Sequence, residues 1–273
     1  MVMNEMDKVK LKYDESLVMS PLEMLEEVVK VENEREGNLN LNDGYNCPIC
    51  KNKGYIAMAD KERMVQVDKR CECMNVRKSL ISLKNSGLNY ESIRKLSSKD
   101  FIATESWQRE MLNKVTEFIK SYEEKNWLYF GGQSGAGKTL LMTILFKFIV
   151  LKYHCVGYYL MWNAESKILV KQVYRDPVAY NNRVQELIDC DLLYIDDFLK
   201  LGNTYTNEEL SLAYEIINNR YIKNKITLFT SELALNELSE KDGAIFGRIF
   251  EKTQKGRFIL ELIGKEKNYR MKK

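Results

Sequence analysis

A glycine-rich segment in the middle of the chain has the residue types and the spacing of a phosphate-binding loop. The segment GQSGAGKT, residues 132–139, fits the pattern G-x-x-x-x-G-K-[ST] and stands between an apolar strand-like run and an apolar helix-like run. Its glycines let backbone N–H groups approach phosphate oxygens without a clash from Cβ, and the following helix points its positive end at the same anion. Lys138 can reach the β- and γ-phosphates of ATP, and the Thr139 hydroxyl can ligate Mg²⁺. The residues expected to contact the nucleotide here are Gly132, Gly135, Ala136, Gly137, Lys138, Thr139 and Leu140.

A second apolar run, LLYIDD at residues 192–197, ends in two carboxylates, as the metal-binding strand of P-loop ATPases does. Asp196 is predicted to hold Mg²⁺, directly or through water, and Asp197 is predicted to orient or deprotonate the attacking water. Many P-loop ATPases carry glutamate at the second position. Aspartate is one methylene shorter and reaches the water less well, which predicts slow hydrolysis suited to a timed switch.

The run KITLFTSE, residues 225–232, is another apolar segment that ends in polar residues. In P-loop ATPases, the residue that senses the γ-phosphate lies at the end of such a strand. Ser231 is the predicted sensor, with Thr230 and Glu232 as alternatives.

Four cysteines in two close pairs, Cys47-x-x-Cys50 and Cys71-x-Cys73, indicate a zinc site. The spacing is close to that of a zinc ribbon, with a second pair shorter by one residue, and four sulfurs satisfy a closed tetrahedral structural site. A disulfide is the alternative, which a reducing cytoplasm disfavours. The other two cysteines, Cys155 and Cys190, lie in or beside apolar strands and are interpreted as inert core thiols.

Strands and helices alternate from residue 127 onward, which predicts an α/β fold with a parallel five-stranded sheet covered on both faces. The candidate strands are near-continuous apolar runs, as such a sheet requires. They are residues 127–131, 156–162, 191–196, 225–231 and 257–263. The candidate helices are residues 138–152, 164–175, 180–189, 206–223, 233–238 and 243–251.

The N-terminal part reads as an acidic arm with one helix. Ser20, Pro21 and Glu23 have the types and spacing of a helix start, and the helix is predicted to end near Gly37. Its apolar stripe, Leu22, Leu25, Val28 and Val29, either packs on the protein's own next domain or docks on another protein. Residues 1–36 hold ten acidic and five basic side chains, so with a whole-chain charge of +3 the remainder carries +8. One interpretation is that these charges only form solvated faces. The other is that the acidic arm binds a protein and the basic remainder of the chain binds nucleic acid.

The composition limits the class of protein. At 273 residues and 45% hydrophobic residues, the chain can bury a sizeable core and one small appendage. The sequence has no run of eighteen apolar residues and no signal peptide at its start, so we expect a cytoplasmic protein without a membrane anchor.

The four-cysteine segment, the P-loop, the strand LLYIDDF and the ending KNYRMKK together resemble the bacterial and phage replicative-helicase loaders of the DnaC/DnaI type, an AAA+ ATPase group. The resemblance covers about residues 44–273. We expect four segments along the chain: an acidic N-terminal arm and helix (1–43), a zinc-binding module (44–85), a linker and helix (86–126) and, as the resemblance implies, an AAA+ ATPase domain (127–273). The resemblance also implies ATP, Mg²⁺ and Zn²⁺ as ligands, and binding to the hexameric replicative helicase and to single-stranded DNA during replication initiation.

Two arginines take their roles from that resemblance. Arg248 matches the arginine finger, which implies contact between subunits at the γ-phosphate of a neighbour, and Arg270 matches the sensor-2 arginine. The family often has Thr-Ser-Asn at the sensor-1 strand end, whereas Thr230-Ser231-Glu232 stands here.

The sequence leaves some functional questions open. Lys167, Lys171, Tyr174 and Arg175 form either a single-stranded DNA contact or an ordinary amphipathic helix. A transposition-helper ATPase that binds duplex DNA is the alternative function, and a non-hydrolysing adaptor is a third. The zinc module and the acidic arm favour the loader.

Overall fold

The computed structural model describes residues 19–85, 95–199 and 205–269. They form two compact units, one that ends at Glu72 and one that begins at Cys73. No helix in these three stretches is both long and apolar enough to cross a membrane.

The first unit is a helix packed on a β-hairpin. Helix α1 (Pro21–Glu34) begins with Ser20 and Glu23 in a capping box, as the sequence predicts. A four-residue helix, α2 (Asn40–Asp43), precedes the antiparallel strands β1 (Tyr55–Asp60) and β2 (Val65–Arg70).

The side chain of Asn33 joins α1 to the hairpin. It donates to the carbonyl of Ala57 over 2.8 Å and accepts from the N–H of the same residue over 2.9 Å. One face of α1, with Leu22, Leu25 and Val29, is half-buried, whereas Val28 stays 55% exposed. The apolar stripe is therefore only partly covered by its own unit.

The second unit is built on a parallel sheet of five strands. Their order across the sheet is β4-β5-β6-β3-β7, and β5 and β6 are buried at every position. In chain order the strands are β3 (Leu128–Gly132), β4 (Gly157–Met161), β5 (Leu192–Asp196), β6 (Ile226–Thr230) and β7 (Ile259–Leu262). The predicted parallel α/β sheet is confirmed.

Helices alternate with these strands, as predicted from the sequence. The described helices of the second unit are α3 (Cys73–Asn85), α4 (Ser106–Lys120), α5 (Lys138–Tyr153), α6 (Trp162–Arg175), α7 (Pro177–Asp189), α8 (Asn207–Ile222), α9 (Leu235–Lys241) and α10 (Gly243–Lys252). Because parallel strands share one direction, their carboxyl ends meet at one edge, where the P-loop and both aspartates lie.

Helix α3 packs on the edge of this sheet. Asn75 donates to the carbonyl of His154 over 3.1 Å, and the Ser79 hydroxyl accepts from the N–H of Gly157 over 2.8 Å. The range 44–85 predicted for the cysteine module therefore includes a helix that packs within the second unit.

Candidate nucleotide-binding site

The P-loop joins β3 to α5 and has the backbone that its glycines permit. Gly132 and Gly135 have φ values of +92° and +77°, which side chains rarely adopt. A Cβ on Gly132 would also lie 2.5 Å from the carbonyl oxygen of Leu262 in the neighbouring strand. The loop is therefore held close to β7.

The P-loop lysine lies over its own loop. Lys138 Nζ donates to the carbonyls of Gly132 and Gln133, over 2.7 and 2.8 Å, and the side chain is buried. A phosphate in the loop would compete with these two carbonyls for the ammonium group.

Asp196, at the end of β5, is 5% exposed and accepts hydrogen bonds from hydroxyl groups on three strands and one helix. Thr139 donates to Oδ1 over 3.0 Å, Tyr194 donates to Oδ1 over 2.8 Å, and Tyr159 donates to Oδ2 over 2.7 Å. Thr230 also donates to Oδ1. Burial and the charge of Asp196 raise the pKa of both tyrosines, so these phenols stay protonated donors.

This donor set fits Mg²⁺. The ion prefers oxygen ligands and, in nucleotide sites, takes few of them from the protein. The Thr139 hydroxyl donates its proton to Asp196 and so keeps its lone pairs for a cation. Thr139 and Asp196, the two predicted magnesium ligands, are therefore adjacent.

Asp197 occupies a sharp turn directly after β5. Its φ is +52°, and its backbone is fixed by the Thr230 hydroxyl, which accepts from the Asp197 N–H over 3.2 Å. Asn163 donates to the Asp197 carbonyl over 3.2 Å. The turn directs Asp197 into the cavity that the P-loop also lines.

A cavity of about 440 Å³ lies over the P-loop, a size in the range of small-ligand sites. It is lined by the predicted residues from Gly135 to Leu140 and by Asp197. The cavity is also lined by residues outside the predicted site, among them Phe101, Ile102, Gln108 and Tyr269. Phe101 is buried against the loop, since a Cβ on Gly137 would lie 3.2 Å from its ring.

The three candidate sensor residues have different surroundings. The Ser231 hydroxyl donates to the carbonyl of Phe198 over 2.6 Å and accepts from the N–H of Leu233 over 2.9 Å, in a fully buried turn. Thr230 contacts Asp196, and Glu232 lines the cavity. The two alternatives are therefore nearer to the site than Ser231, the predicted sensor.

Of the two arginines that the resemblance singles out, the structure describes Arg248 but not Arg270. On α10, Arg248 donates to the side-chain oxygen of Asn218 over 2.7 Å and to the Tyr214 hydroxyl over 3.0 Å. Its guanidinium lies 4.8 Å from the centre of the Tyr214 ring. Arg270 lies outside the described residues.

The four cysteines at positions 47, 50, 71 and 73 form one buried group, and their sulfur atoms all lie within 4.8 Å of one another. None of these four cysteines forms a disulfide, and the sulfurs of Cys47 and Cys71 are 3.8 Å apart. Four sulfurs at the usual 2.3 Å from a tetrahedral zinc ion would stand about 3.8 Å apart. The group therefore fits a closed zinc site.

Cys155 and Cys190 are buried elsewhere in the second unit. Burial raises the pKa of the Cys155 thiol to about 11 and also raises that of Cys190, so both remain thiols at neutral pH.

Comparison with known proteins finds a relative of this chain in a phage-like element. No family model matches the chain. The chain is 27% identical over 237 residues to the phage-like element PBSX protein XkdC of Bacillus subtilis (strain 168), which covers 83% of this chain and 86% of that protein.

Two solved structures of replication proteins share the fold. The DnaC helicase loader matches with a TM-score of 0.54 and 20% identity, over 63% of this chain and 99% of the loader. The initiator DnaA, bound to AMPPCP and single-stranded DNA, matches with a TM-score of 0.51 and 19% identity, over 64% of this chain and 51% of that one. The chain therefore shares its fold with the DnaC helicase loader and with DnaA, and the resemblance expected from the sequence is confirmed at the level of the fold.

Proposed function

We propose that this AAA+ chain is an ATP-dependent loader that binds a hexameric replicative helicase and helps to place it on single-stranded DNA. The observation that carries the proposal is the convergence of Lys138, Thr139 and Asp197 on one cavity, with Asp196 hydrogen-bonded to Thr139. The chain that holds them has the loader fold and a buried four-cysteine group. The similarity to a protein of a phage-like element suits either a phage or a bacterial origin, and we expect the protein to act in the cytoplasm.

In this proposal ATP·Mg²⁺ occupies the cavity. Lys138 exchanges its two loop carbonyls for phosphate oxygens, Thr139 and Asp196 hold the metal ion, and Asp197 orients the attacking water. Mg²⁺ supplies charge neutralisation at the phosphates when it is bound. The sensor is one of Thr230, Ser231 and Glu232, and Arg248 and Arg270 keep the roles that the family resemblance implies.

Tyr269 and Ile102 are exposed residues that line the cavity, and the buried Phe101 lines it close to Gly137 of the loop. Apolar side chains beside a phosphate site suit a flat base, so we assign the base of the nucleotide to this part of the cavity.

The outer face of α1 is the proposed contact for the helicase. Met24, Val28 and Val31 follow helical spacing and are 51%, 55% and 52% exposed. An apolar face on a helix in an otherwise charged segment suits docking into a groove of a partner.

Light scattering after size exclusion tests the proposal directly. The chain is mixed with the replicative helicase of its source organism, with and without ATP·Mg²⁺. The expected result is a complex heavier than the helicase hexamer, and Val28→Glu should weaken it. Ile222→Glu is the matched control, because Ile222 is an exposed apolar residue (69%) on α8 of the other unit.

If Val28→Glu leaves the affinity for the helicase unchanged, α1 is not the contact surface. The absence of a complex in every nucleotide state would favour the transposition helper, and duplex-DNA binding would then be the next measurement.

Single-stranded DNA is proposed to contact α6. Lys167, Lys171, Tyr174 and Arg175 are all exposed, and Tyr174 is 80% exposed. An exposed ring between cations suits base stacking together with phosphate contacts. Tyr174→Ala should weaken binding to an oligothymidine in an anisotropy titration, whereas Lys120→Glu on α4, also exposed, should change it far less.

A further inference from the structure

Two tyrosines behind the nucleotide site have hydroxyl groups that the proposed reaction does not use. Tyr159 on β4 and Tyr194 on β5 are register partners in the sheet, and both are fully buried. Their rings meet edge to face with centroids 5.1 Å apart. Asp196 follows Tyr194 by two residues on the same strand, so its carboxylate lies on the same face of the sheet.

The hydroxyls of both tyrosines are directed at that carboxylate. Phenylalanine would fill nearly the same volume in this core, and a buried phenol is unfavourable unless its O–H finds a partner. Tyr159 donates to Oδ2 and Tyr194 to Oδ1, so the two phenols fix the carboxylate at both of its oxygens. That placement is a reason for tyrosine at both positions.

The chemistry of the donors also matters. Hydroxyl groups compensate the desolvation of a buried carboxylate without cancelling its negative charge, whereas a lysine or arginine partner would cancel it. A carboxylate has about four lone-pair sites. Asp196 Oδ1 accepts hydrogen bonds from Thr139, Tyr194 and Thr230, and Asp196 Oδ2 accepts one from Tyr159.

We propose that Tyr159 and Tyr194 are positioning residues that orient the Asp196 carboxylate, with its charge intact, for the Mg²⁺ ion of the nucleotide. The proposal rests on the proposed nucleotide site and extends it to two residues that touch neither the nucleotide nor the metal. Hydrogen-bond partners of metal-binding carboxylates fix the direction of the ligand, and their loss typically weakens metal binding by about 10–100-fold.

The test compares the affinity for AMPPCP, measured by calorimetry, in Mg²⁺ and in EDTA. In Tyr159→Phe and Tyr194→Phe, the ratio of the two affinities should fall by about tenfold, while the affinity in EDTA stays as in the wild type. Tyr158→Phe is the matched control. Tyr158 neighbours Tyr159 on β4, but its hydroxyl donates to Glu186, so its removal should leave the ratio unchanged.

The variant Asp196→Asn shows whether the tyrosines act through the carboxylate. Tyr159→Phe added to Asp196→Asn should lower the ratio no further. Mn²⁺ can replace Mg²⁺, and its binding followed by electron paramagnetic resonance gives a second measure of metal affinity that needs no turnover. If Tyr194→Phe is unstable, Tyr159→Phe alone is enough for the test.

The outcomes separate this proposal from the proposed function. A wild-type chain whose affinity for AMPPCP does not depend on Mg²⁺ would contradict the nucleotide–metal site itself. In the other outcome, the affinity of the wild type for AMPPCP depends on Mg²⁺, and the folded tyrosine variants have the same ratio of affinities in Mg²⁺ and EDTA as the wild type. That result would show that the two phenols only fill the core.

Discussion

The side chain of Asn268 occupies the space that a Cβ on Gly135 would need. A Cβ built at Gly135 would lie 2.1 Å from Asn268 Oδ1, and the next residue, Tyr269, donates its N–H to the Gly135 carbonyl over 3.1 Å. The C-terminal segment therefore packs directly on the P-loop. Only glycine at position 135 permits that contact.

Gly135→Ala should weaken nucleotide binding by tenfold or more. The alanine meets both Asn268 and a φ of +77°, and a strained backbone of this kind costs about 1–3 kcal/mol. Calorimetry with AMPPCP measures the effect. Gly243→Ala is the control, because a Cβ there has no atom within 4 Å. Asn268→Ala combined with Gly135→Ala relieves the contact but not the φ, so full recovery would contradict the role of backbone strain.

Asp197→Asn should retain ATP affinity and lose hydrolysis. An amide cannot accept the proton of the attacking water, and a positioned base typically contributes about 10²–10⁴-fold. Phosphate release from ATP measures the rate, and binding of AMPPCP to the same variant is the control. Hydrolysis at the wild-type rate would show that Asp197 is not the base.

Arg248→Ala should abolish the part of ATP hydrolysis that rises with protein concentration. An arginine that reaches the γ-phosphate of a neighbouring subunit contributes about 10³-fold or more in other phosphoryl-transfer proteins. Rates measured over a range of protein concentrations give the effect. Arg257→Ala is the control, because Arg257 pairs with Glu117 on α4 over 2.7 Å, whereas Arg248 contacts Asn218 and Tyr214 on α8. A variant that keeps the concentration dependence would remove Arg248 from the site.

Arg220→Met should lower the free energy of unfolding by about 3 kcal/mol or more. Arg220 is fully buried, and its guanidinium donates to the carbonyls of Leu187, Ile188 and Cys190 and to the Thr227 hydroxyl. Methionine leaves these buried acceptors without a donor, and each hydrogen bond to a charged group contributes about 1.5–3 kcal/mol. Urea unfolding measures the change. Arg175→Met, at an exposed position, should be nearly neutral, and equal effects would argue against the buried network.

Zinc analysis of the purified chain should give one ion per chain, and Cys50→Ser should lose most of it. Cys50 supplies one of four sulfurs in the group, and three-sulfur sites hold the ion less tightly. Removal of zinc by a chelator should also lower the melting temperature. Cys155→Ser is the control, since Cys155 is not part of the group. A metal-free wild-type chain with an unchanged melting temperature would contradict the zinc site.

The sequence predicted the elements of the second unit closely. The buried strands of a parallel sheet are continuous apolar runs, so each was visible without knowledge of its neighbours. The strand predicted at 191–196 is Leu192–Asp196, and the helix predicted at 138–152 is Lys138–Tyr153. The four cysteines were also visible, because their spacing along the chain alone indicated a common ligand.

Contacts between distant segments were not visible in the same way. Strand alternation puts Thr230 and Ser231 on opposite faces, but only the register that pairs Ile195 with Phe229 sets Thr230 beside Asp196. Tyr194 could have been found, since a residue two before an aspartate on a strand shares its face. Phe101 and Tyr269 could not, because their place beside the P-loop depends on how separate segments pack.

Arg220 was missed for a different reason. Sequence patterns assign an arginine on a helix to the solvent side, because a buried charge is costly without partners. Here the partners are backbone carbonyls at the end of α7 and along β6, which carry no signature of their own in the sequence.

Lys138 has two carbonyl acceptors within its own loop. The net contribution of this lysine to phosphate binding is therefore a difference between two sets of hydrogen bonds, and it is smaller than the full attraction between an ammonium group and a phosphate.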